Sequence, residues 1–285
     1  MDVPRLSVII PTYRRAGALA ECLRRLEKQT VAKDLEVIVV SDGHDDEARD
    51  VAVRPRQIIV RYFEVEKSQQ GTARNKGVAE ASGDDILFIG DDIFLLEDAC
   101  ERHLEAHEIH GKDGPVAVLG FTTWDPAVGI TSVMTWLETS GWQFGYPAIS
   151  NYGHGFIPEK RQHQFTYTSH ISLPLQIAKK MPFRTDVHLY GWEDIEWGMR
   201  LRDAGVRLVY EPDAEALHHH RLTLEDSLKR METLGRSAKE MANSVAGFDR
   251  VPKGMKLLAY RILSLLPTMT GRHRFAFLKG LRVRT

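Results

Sequence analysis

The chain alternates short apolar runs with segments whose apolar residues recur at helical spacing. Residues 7–10, Ser-Val-Ile-Ile, read as a buried strand, and Pro11 ends it because proline cannot donate to a ladder. Leu19, Cys22, Leu23 and Leu26 then fall on one helical face. Residues 36–40 form a second buried strand, closed by the turn-like Ser41-Asp42-Gly43, and 58–60 form a third. A helix over 71–81 is broken by Gly83, a fourth strand covers 86–89, and another helix covers 97–110. Strands without a polar face, separated by amphipathic helices, predict an α/β fold with a parallel sheet covered on both sides.

Past residue 115 the pattern loosens. A strand is expected at 116–119. Residues 120–165 are rich in aromatics and glycine with little period, which predicts a loop-rich excursion carrying one helix near 131–139. The chain returns to the sheet over 166–172, and a helix over 194–204 is closed by Gly205. Short strands are expected at 206–210 and 214–218, and Thr223 with Asp226 opens a long helix in capping-box fashion. No internal repeat or low-complexity linker interrupts this order.

Composition changes the picture in two places. Of 285 residues, 43% are hydrophobic and 27% charged, so the chain is globular rather than disordered or fibrous. The two cysteines, Cys22 and Cys100, cannot build a disulfide framework or a four-cysteine zinc site. The net charge of −1 conceals a split: residues 250–285 carry nine Lys or Arg and no acid, leaving −10 on the rest. An acidic body argues against nucleic acid as a partner. The basic tail suits an anionic surface such as lipid. Within it, Leu258, Ile262, Leu265 and Leu266 share a helical face, with Lys256 and Arg261 elsewhere, and a second basic segment covers 272–279. That face either lies in a membrane interface or packs on the body or on a second subunit, so self-association is left open. No membrane span and no leader segment is legible, which points to the cytoplasm, with peripheral contact at the inner membrane face as the tail's contribution.

In an open α/β sheet, ligands bind beyond the carboxyl ends of the strands. Six groups of residues stand there or beside helix starts. Thr12-Tyr13-Arg14-Arg15 follows the first strand, and Asp42 follows the second. Asp91 and Asp92 follow the fourth; on an extended backbone they point to opposite sides, one toward a sugar or ribose and the other toward a hard cation such as Mg²⁺ or Mn²⁺. Gln70-Gly71-Thr72-Ala73-Arg74 offers free helix-start N–H groups and a cation for phosphate. Trp192-Glu193-Asp194 places carboxylates at a helix start, where the dipole favours the ionised form a general base needs. His218-His219-His220 puts two alternate imidazoles on one side of an extended segment. Each cluster taken alone also reads as a solvated turn, an N-cap or a core side chain.

Taken in order over about residues 5–230, these clusters resemble the family 2 glycosyltransferases of the GT-A fold. Leu6-Ser-Val-Ile-Ile-Pro-Thr-Tyr13 resembles that family's first strand and nucleotide loop, and Val39-Val-Ser-Asp-Gly43 its second strand. Gly71-Thr-Ala-Arg-Asn-Lys-Gly77 resembles its donor-site helix start, Phe88-Ile-Gly-Asp-Asp92 its Asp-x-Asp motif, and Gly191-Trp-Glu-Asp194 its acceptor-site motif. The resemblance implies a Rossmann-like, mostly parallel sheet flanked by helices, with a C-terminal helical extension. The catalytic domain would cover 1–222, with a nucleotide-sugar half at about 1–115 and an acceptor half at about 116–222; the basic extension would cover 223–285.

It further implies a metal-dependent, inverting transfer from a nucleotide-diphosphate sugar, UDP favoured, to a hydroxyl of a glycan or lipid-linked acceptor. Asp194 would be the catalytic base. Pro11, Thr12, Tyr13, Arg14, Asp42, Gln70, Arg74 and Asp91 would hold the donor, and Trp192 and Glu193 the acceptor. Asp92 and His218 would bind Mn²⁺ or Mg²⁺. Two departures stand out: the first Asp of the metal motif is Gly90, and His170 stands where a mid-chain Asn is common. A sugar-phosphate nucleotidyltransferase is the alternative enzyme, disfavoured because no Gly-rich signature follows the first strand. A non-catalytic nucleotide-sugar-binding protein is the other, disfavoured by the retained Asp92, Asp194 and His218.

Overall fold

The computed structural model describes residues 3–186 and 191–282. Its strands are β1 (Leu6–Thr12), β2 (Leu35–Asp42), β3 (Ile59–Val65), β4 (Asp85–Ile89), β5 (Ile93–Leu95), β6 (Val116–Trp124), β7 (Gly155–Phe156), β8 (His170–Pro174) and β9 (Arg207–His218). They form one sheet in the order β3-β2-β1-β4-β8-β6-β9-β5, with β7 also on β9. β1, β2, β3, β4, β6 and β9 run one way, and β5, β7 and β8 run against them. This is the expected mostly parallel α/β sheet.

Strand alternation divides the core in two. Leu6, Val8 and Ile10 of β1 face the layer formed by α1 (Ala16–Leu26), α2 (Asp46–Ala52) and a helix after β5. Ile9 faces the opposite layer, where α3 (Gln70–Glu80) packs so closely that a Cβ on Gly77 would stand 2.3 Å from Ile9. The helix after β5 is α4 (Ala99–His110), and α5 (Ser132–Thr139) lies in the aromatic excursion. Short α6 (Glu159–Gln162) and α7 (Leu175–Lys180) lead to α8 (Glu193–Asp203), whose Trp197 is fully buried against Phe88 and Phe183.

Three departures from the sequence reading have local causes. The 206–210 and 214–218 strands are one strand, β9, which crosses Pro212-Asp213 by shifting register against β6 between Gly120 and Phe121. Pro212 falls in the stretch between Glu211 and Glu215 that the register shift leaves unpaired with β6, and such a bulge tolerates a proline. The third strand is longer than read and only half-buried, because β3 is a sheet edge. The return to the sheet starts later than read: β8 begins at His170, which is wholly buried, with Thr122 Oγ1 3.2 Å from its Nδ1.

After Thr223 come α9 (Leu224–Ser244), α10 (Gly254–Leu263) and α11 (Met269–Arg282). α9 opens with the expected capping box between Thr223 and Asp226. It meets α11 at glycine contacts: a Cβ on Gly235 would stand 2.1 Å from the Phe277 carbonyl, and one on Gly280 1.9 Å from the Glu232 carbonyl. Phe277 joins Ala238, Met241 and Phe248 in a core that also takes in Trp192 and Ile195. Among the described residues no helix is long and apolar enough to cross a membrane.

Candidate active site

Strand direction assembles the site. β1, β4, β6 and β9 all point their carboxyl ends to one rim, so Thr12, the turn after Ile89, Trp124 and His218 arrive together. Register makes this tight: Ile93 of β5 lies opposite His218, and Trp124 lies opposite His218 on the other side. A cleft of about 700 Å³ opens there, between that rim, the start of α8 and the inner faces of α9 and α10.

Asp91 and Asp92 do not lie on extended backbone. They form a turn closed by Ile93 N–H donating to the Gly90 carbonyl at 3.2 Å, so their carboxylates do not diverge as alternation would require. Instead one guanidinium spans both: Arg15 donates to Asp91 Oδ1 at 2.9 Å and to Asp92 Oδ2 at 2.7 Å. Thr12 Oγ1 donates to the second oxygen of Asp91 at 2.8 Å. Gly90 leaves room for this turn, since a Cβ there would stand 2.9 Å from Asp92 Oδ1. Burial pushes the Asp91 carboxyl up to about 6, against the pull of Arg15. Burial also opposes ionisation of Asp92, but His218 and Arg15 outweigh it and hold that carboxyl below the usual range.

His218 Nε2 stands 3.3 Å from Asp92 Oδ2, and His220 Nδ1 3.7 Å from the same atom. The ligand atoms of Asp92, His218 and His220 lie within 4.8 Å of one another, one hard oxygen and two imidazole nitrogens, a donor set that could hold a divalent cation. Trp124 stacks on the His218 ring at 5.0 Å and fixes its plane, while the buried Nδ1 of His218 has no partner among the described residues. His219 turns away, bonding Asp125 Oδ2 at 2.6 Å and stacking on Phe94.

Across the cleft, Asp194 lies in the first turn of α8. Thr168 Oγ1 donates to its Oδ1 at 2.6 Å and Thr168 N–H to its Oδ2 at 3.2 Å, so the carboxylate is oriented from one side. Glu193 is half-buried, and its buried Oε2 has no partner among the described residues. Burial, then the neighbouring Asp194, pushes the Glu193 carboxyl up, with Arg74 pulling the other way. Arg74 is only 5% exposed, yet its Nε and Nη1 have no partner among the described residues; its Nη2 donates to Gln70 Oε1 at 3.2 Å. A buried guanidinium with spare donors on a cleft wall is built to meet an anion. Trp192 lines the cleft but is held by its indole N–H on the Leu234 carbonyl at 3.0 Å and by Phe248 edge-on.

The remaining candidates are spread along the rim. Pro11 and Gln70 line the cleft. Thr12 faces inward and supports Asp91 rather than open space. Tyr13 stands outside the cleft lining beside Gly43, with Lys67 donating to its hydroxyl at 2.6 Å. Asp42 accepts from Ser68 N–H at 2.8 Å. Arg14 is exposed, at positive φ, with its guanidinium 5.3 Å from the Tyr13 ring centre. Sequence reasoning set Arg15 in the first cluster without giving it a role, and passed over Thr168. Two adjacent carboxylates after a buried strand signal a nearby cation, but only the β1–β4 pairing says that Arg15 supplies it.

Residues 7–159, more than half of the chain, match the family described as Glycosyl transferase family 2. Validoxylamine A glucosyltransferase of Streptomyces hygroscopicus subsp. jinggangensis is 30% identical over 234 residues, 73% of this chain and 53% of that protein. The GalNAc(5)-diNAcBac-PP-undecaprenol beta-1,3-glucosyltransferase of Campylobacter jejuni is 35% identical over 101 residues, 34% of this chain and 32% of that one. The matched stretches thus cover only about a third to a half of these relatives. Among solved structures, a mannosyltransferase from Pyrobaculum calidifontis in complex with GDP-Man and Mn²⁺ superposes with a TM-score of 0.63 at 16% identity, covering 99% of this chain and 87% of that one.

Proposed function

The chain belongs to glycosyl transferase family 2, and from that premise we propose that it transfers a sugar from a nucleotide-diphosphate sugar to an acceptor hydroxyl, with inversion. The observation that carries this reading is the pairing of two unlike walls across one cleft: Asp92 with His218 and His220 on one side, Asp194 on Thr168 on the other. Asp92 and His218 would hold Mn²⁺ or Mg²⁺, with His220 in reach as a further ligand. Bound there, such an ion neutralises charge on a diphosphate leaving group.

The chain's own residues supply the rest. Arg74, with two spare donors, binds the donor's anionic part. Asp91, oriented by Thr12 and Arg15, would meet a ribose hydroxyl. Tyr13 and Asp42 at the rim meet the base by stacking and hydrogen bonding, UDP remaining the favoured nucleotide. Asp194 accepts the acceptor's hydroxyl proton as that oxygen bonds to the anomeric carbon. The bond from that carbon to the diphosphate breaks in the same displacement, and its electron pair leaves on the diphosphate oxygen. Trp192 and Glu193 border the acceptor's approach. The acceptor is a glycan or a lipid-linked saccharide, as the name of the Campylobacter relative suggests.

A thermal-shift panel of UDP-, GDP- and dTDP-sugars with and without Mn²⁺ tests the donor reading. Binding to the native state raises the melting temperature by mass action. A Mn²⁺-dependent shift with one nucleotide class supports the proposal. Stabilisation by a nucleoside triphosphate with a sugar 1-phosphate, and by no nucleotide sugar, points to a nucleotidyltransferase instead.

A further inference from the structure

We propose that α10 and α11 form a docking face for an anionic lipid surface. α10 is two-sided. Leu257 and Tyr260 are half-buried, and Tyr260 lines the catalytic cleft. Met255, Leu258 and Ile262, at spacings of three and four, turn outward, as does Leu265 just past the helix end. They are not covered by the chain: Met255 is 88% exposed, Leu265 80%, and Leu258 and Ile262 58% and 59%. From α11, Phe275 adds a ring that is 55% exposed.

A groove of about 530 Å³ runs between the two helices, with Ile262, Leu265, Phe275 and Leu278 as its floor and Arg261 and Arg282 on its rim. Apolar groups that stand free in water, ringed by cations, match the two parts of a lipid interface: acyl chains below and phosphates around them. Lys253, Lys256, Arg261, Arg272 and Arg282 are all exposed, and none has an acidic partner among the described residues. Lys279 is the exception, paired with Glu232 at 2.7 Å.

Charge decides between a membrane and a second copy. An isologous contact across this face would set the same basic rim against itself, with no acid in 250–285 to relieve it. An anionic bilayer supplies the missing charge over the whole face. Because the inner side of α10 lines the cleft, the docked membrane would stand about one helix diameter, ~10 Å, from the site.

The test is co-sedimentation of the intact chain with phosphatidylcholine vesicles, with and without phosphatidylglycerol. It reads binding and not turnover, so its failure is separate from any failure of the transferase reading. The expected result is capture by phosphatidylglycerol vesicles only, weakening as salt rises, and weakening about five-fold for each of Lys256→Ala, Arg261→Ala and Arg272→Ala. Ile262→Asp with Leu265→Asp, both at exposed positions, should abolish capture; the single alanine variants carry the test if that pair fails to fold. Retention of the intact chain in the supernatant at low salt would overturn the proposal. So would a dimer in solution that the Ile262→Asp, Leu265→Asp pair dissociates.

Discussion

Asp194→Asn separates chemistry from structure more cleanly than any other change in the cleft. The carboxylate receives two donors from Thr168, a hydroxyl at 2.6 Å and a backbone N–H at 3.2 Å. Asparagine has one oxygen and one NH₂ group in nearly the same shape. Its oxygen can keep the backbone N–H. The Thr168 hydroxyl is a free rotor and can turn to accept from the new NH₂. Both contacts survive with one proton reversed, so the cost in stability is that of exchanging a charged for a neutral hydrogen bond, about 1 kcal/mol. The α8 dipole loses a favourable anion, worth ~0.5 kcal/mol more, so the whole cost is about 1.5 kcal/mol.

What cannot survive is proton acceptance by the side chain. General bases contribute roughly 10²–10⁴-fold, or about 3–5 kcal/mol of barrier. The assay is release of nucleoside diphosphate at saturating donor and acceptor, beside donor affinity by thermal shift. The expected outcome is a fall in kcat of at least ~10²-fold with donor affinity unchanged. Turnover near that of the parent chain, in a folded variant, would refute the assignment and move the role to Glu193 or another group.

Other outcomes follow from the same geometry. Thr168→Val keeps shape but removes the hydroxyl from Asp194, so kcat should fall about ten-fold while donor KM holds; an equal rise in KM would show a binding role instead. Arg74→Met replaces the guanidinium over the Phe183 ring with an uncharged thioether and removes the spare donors, and should weaken donor binding by ~10-fold or more with the fold intact, read by titration calorimetry. Gly280→Ala drives a methyl into the Glu232 carbonyl and should lower stability by about 1–3 kcal/mol in urea unfolding; an unchanged midpoint would contradict the close α9–α11 contact. Stability should also fall as pH drops from about 6.5 toward 4. Burial lowers the His103 imidazole well below its ordinary value and His107 and His170 to about 4, so the unfolded chain takes up protons first. Asp85 and Asp91, pushed up to about 6, offset part of this, and a midpoint that rises over that window would contradict the sign.

The sheet was legible where burial on both faces leaves an unbroken apolar run, as in β1, β2 and β4. It was not legible where length or polarity hides the element. β5 has three residues, and α2 reads Asp-Glu-Ala-Arg-Asp-Val-Ala, with little apolar face to count. β9 carries a proline in its middle and so reads as two strands. The site shows the same division. Asp92 and His218 lie 126 residues apart in a sequence that names both as metal ligands, and the parallel β6–β9 pairing with β5 brings them to 3.3 Å. The geometry of Asp91 was misread because alternation assumes a strand, whereas the strand ends at Ile89. Arg15 and Thr168 carry no motif of their own. Their roles exist only through the neighbours that the fold sets beside them.

The most direct measurement is nucleoside diphosphate release from the preferred nucleotide sugar, in Mn²⁺, in excess EDTA, and with Asp92→Ala, with the product's anomeric configuration read by NMR. The expected result is release in Mn²⁺ with an inverted product, loss in EDTA, recovery when Mn²⁺ is restored, and no recovery for Asp92→Ala. Full turnover in EDTA, or a product that retains the donor's configuration, would contradict it.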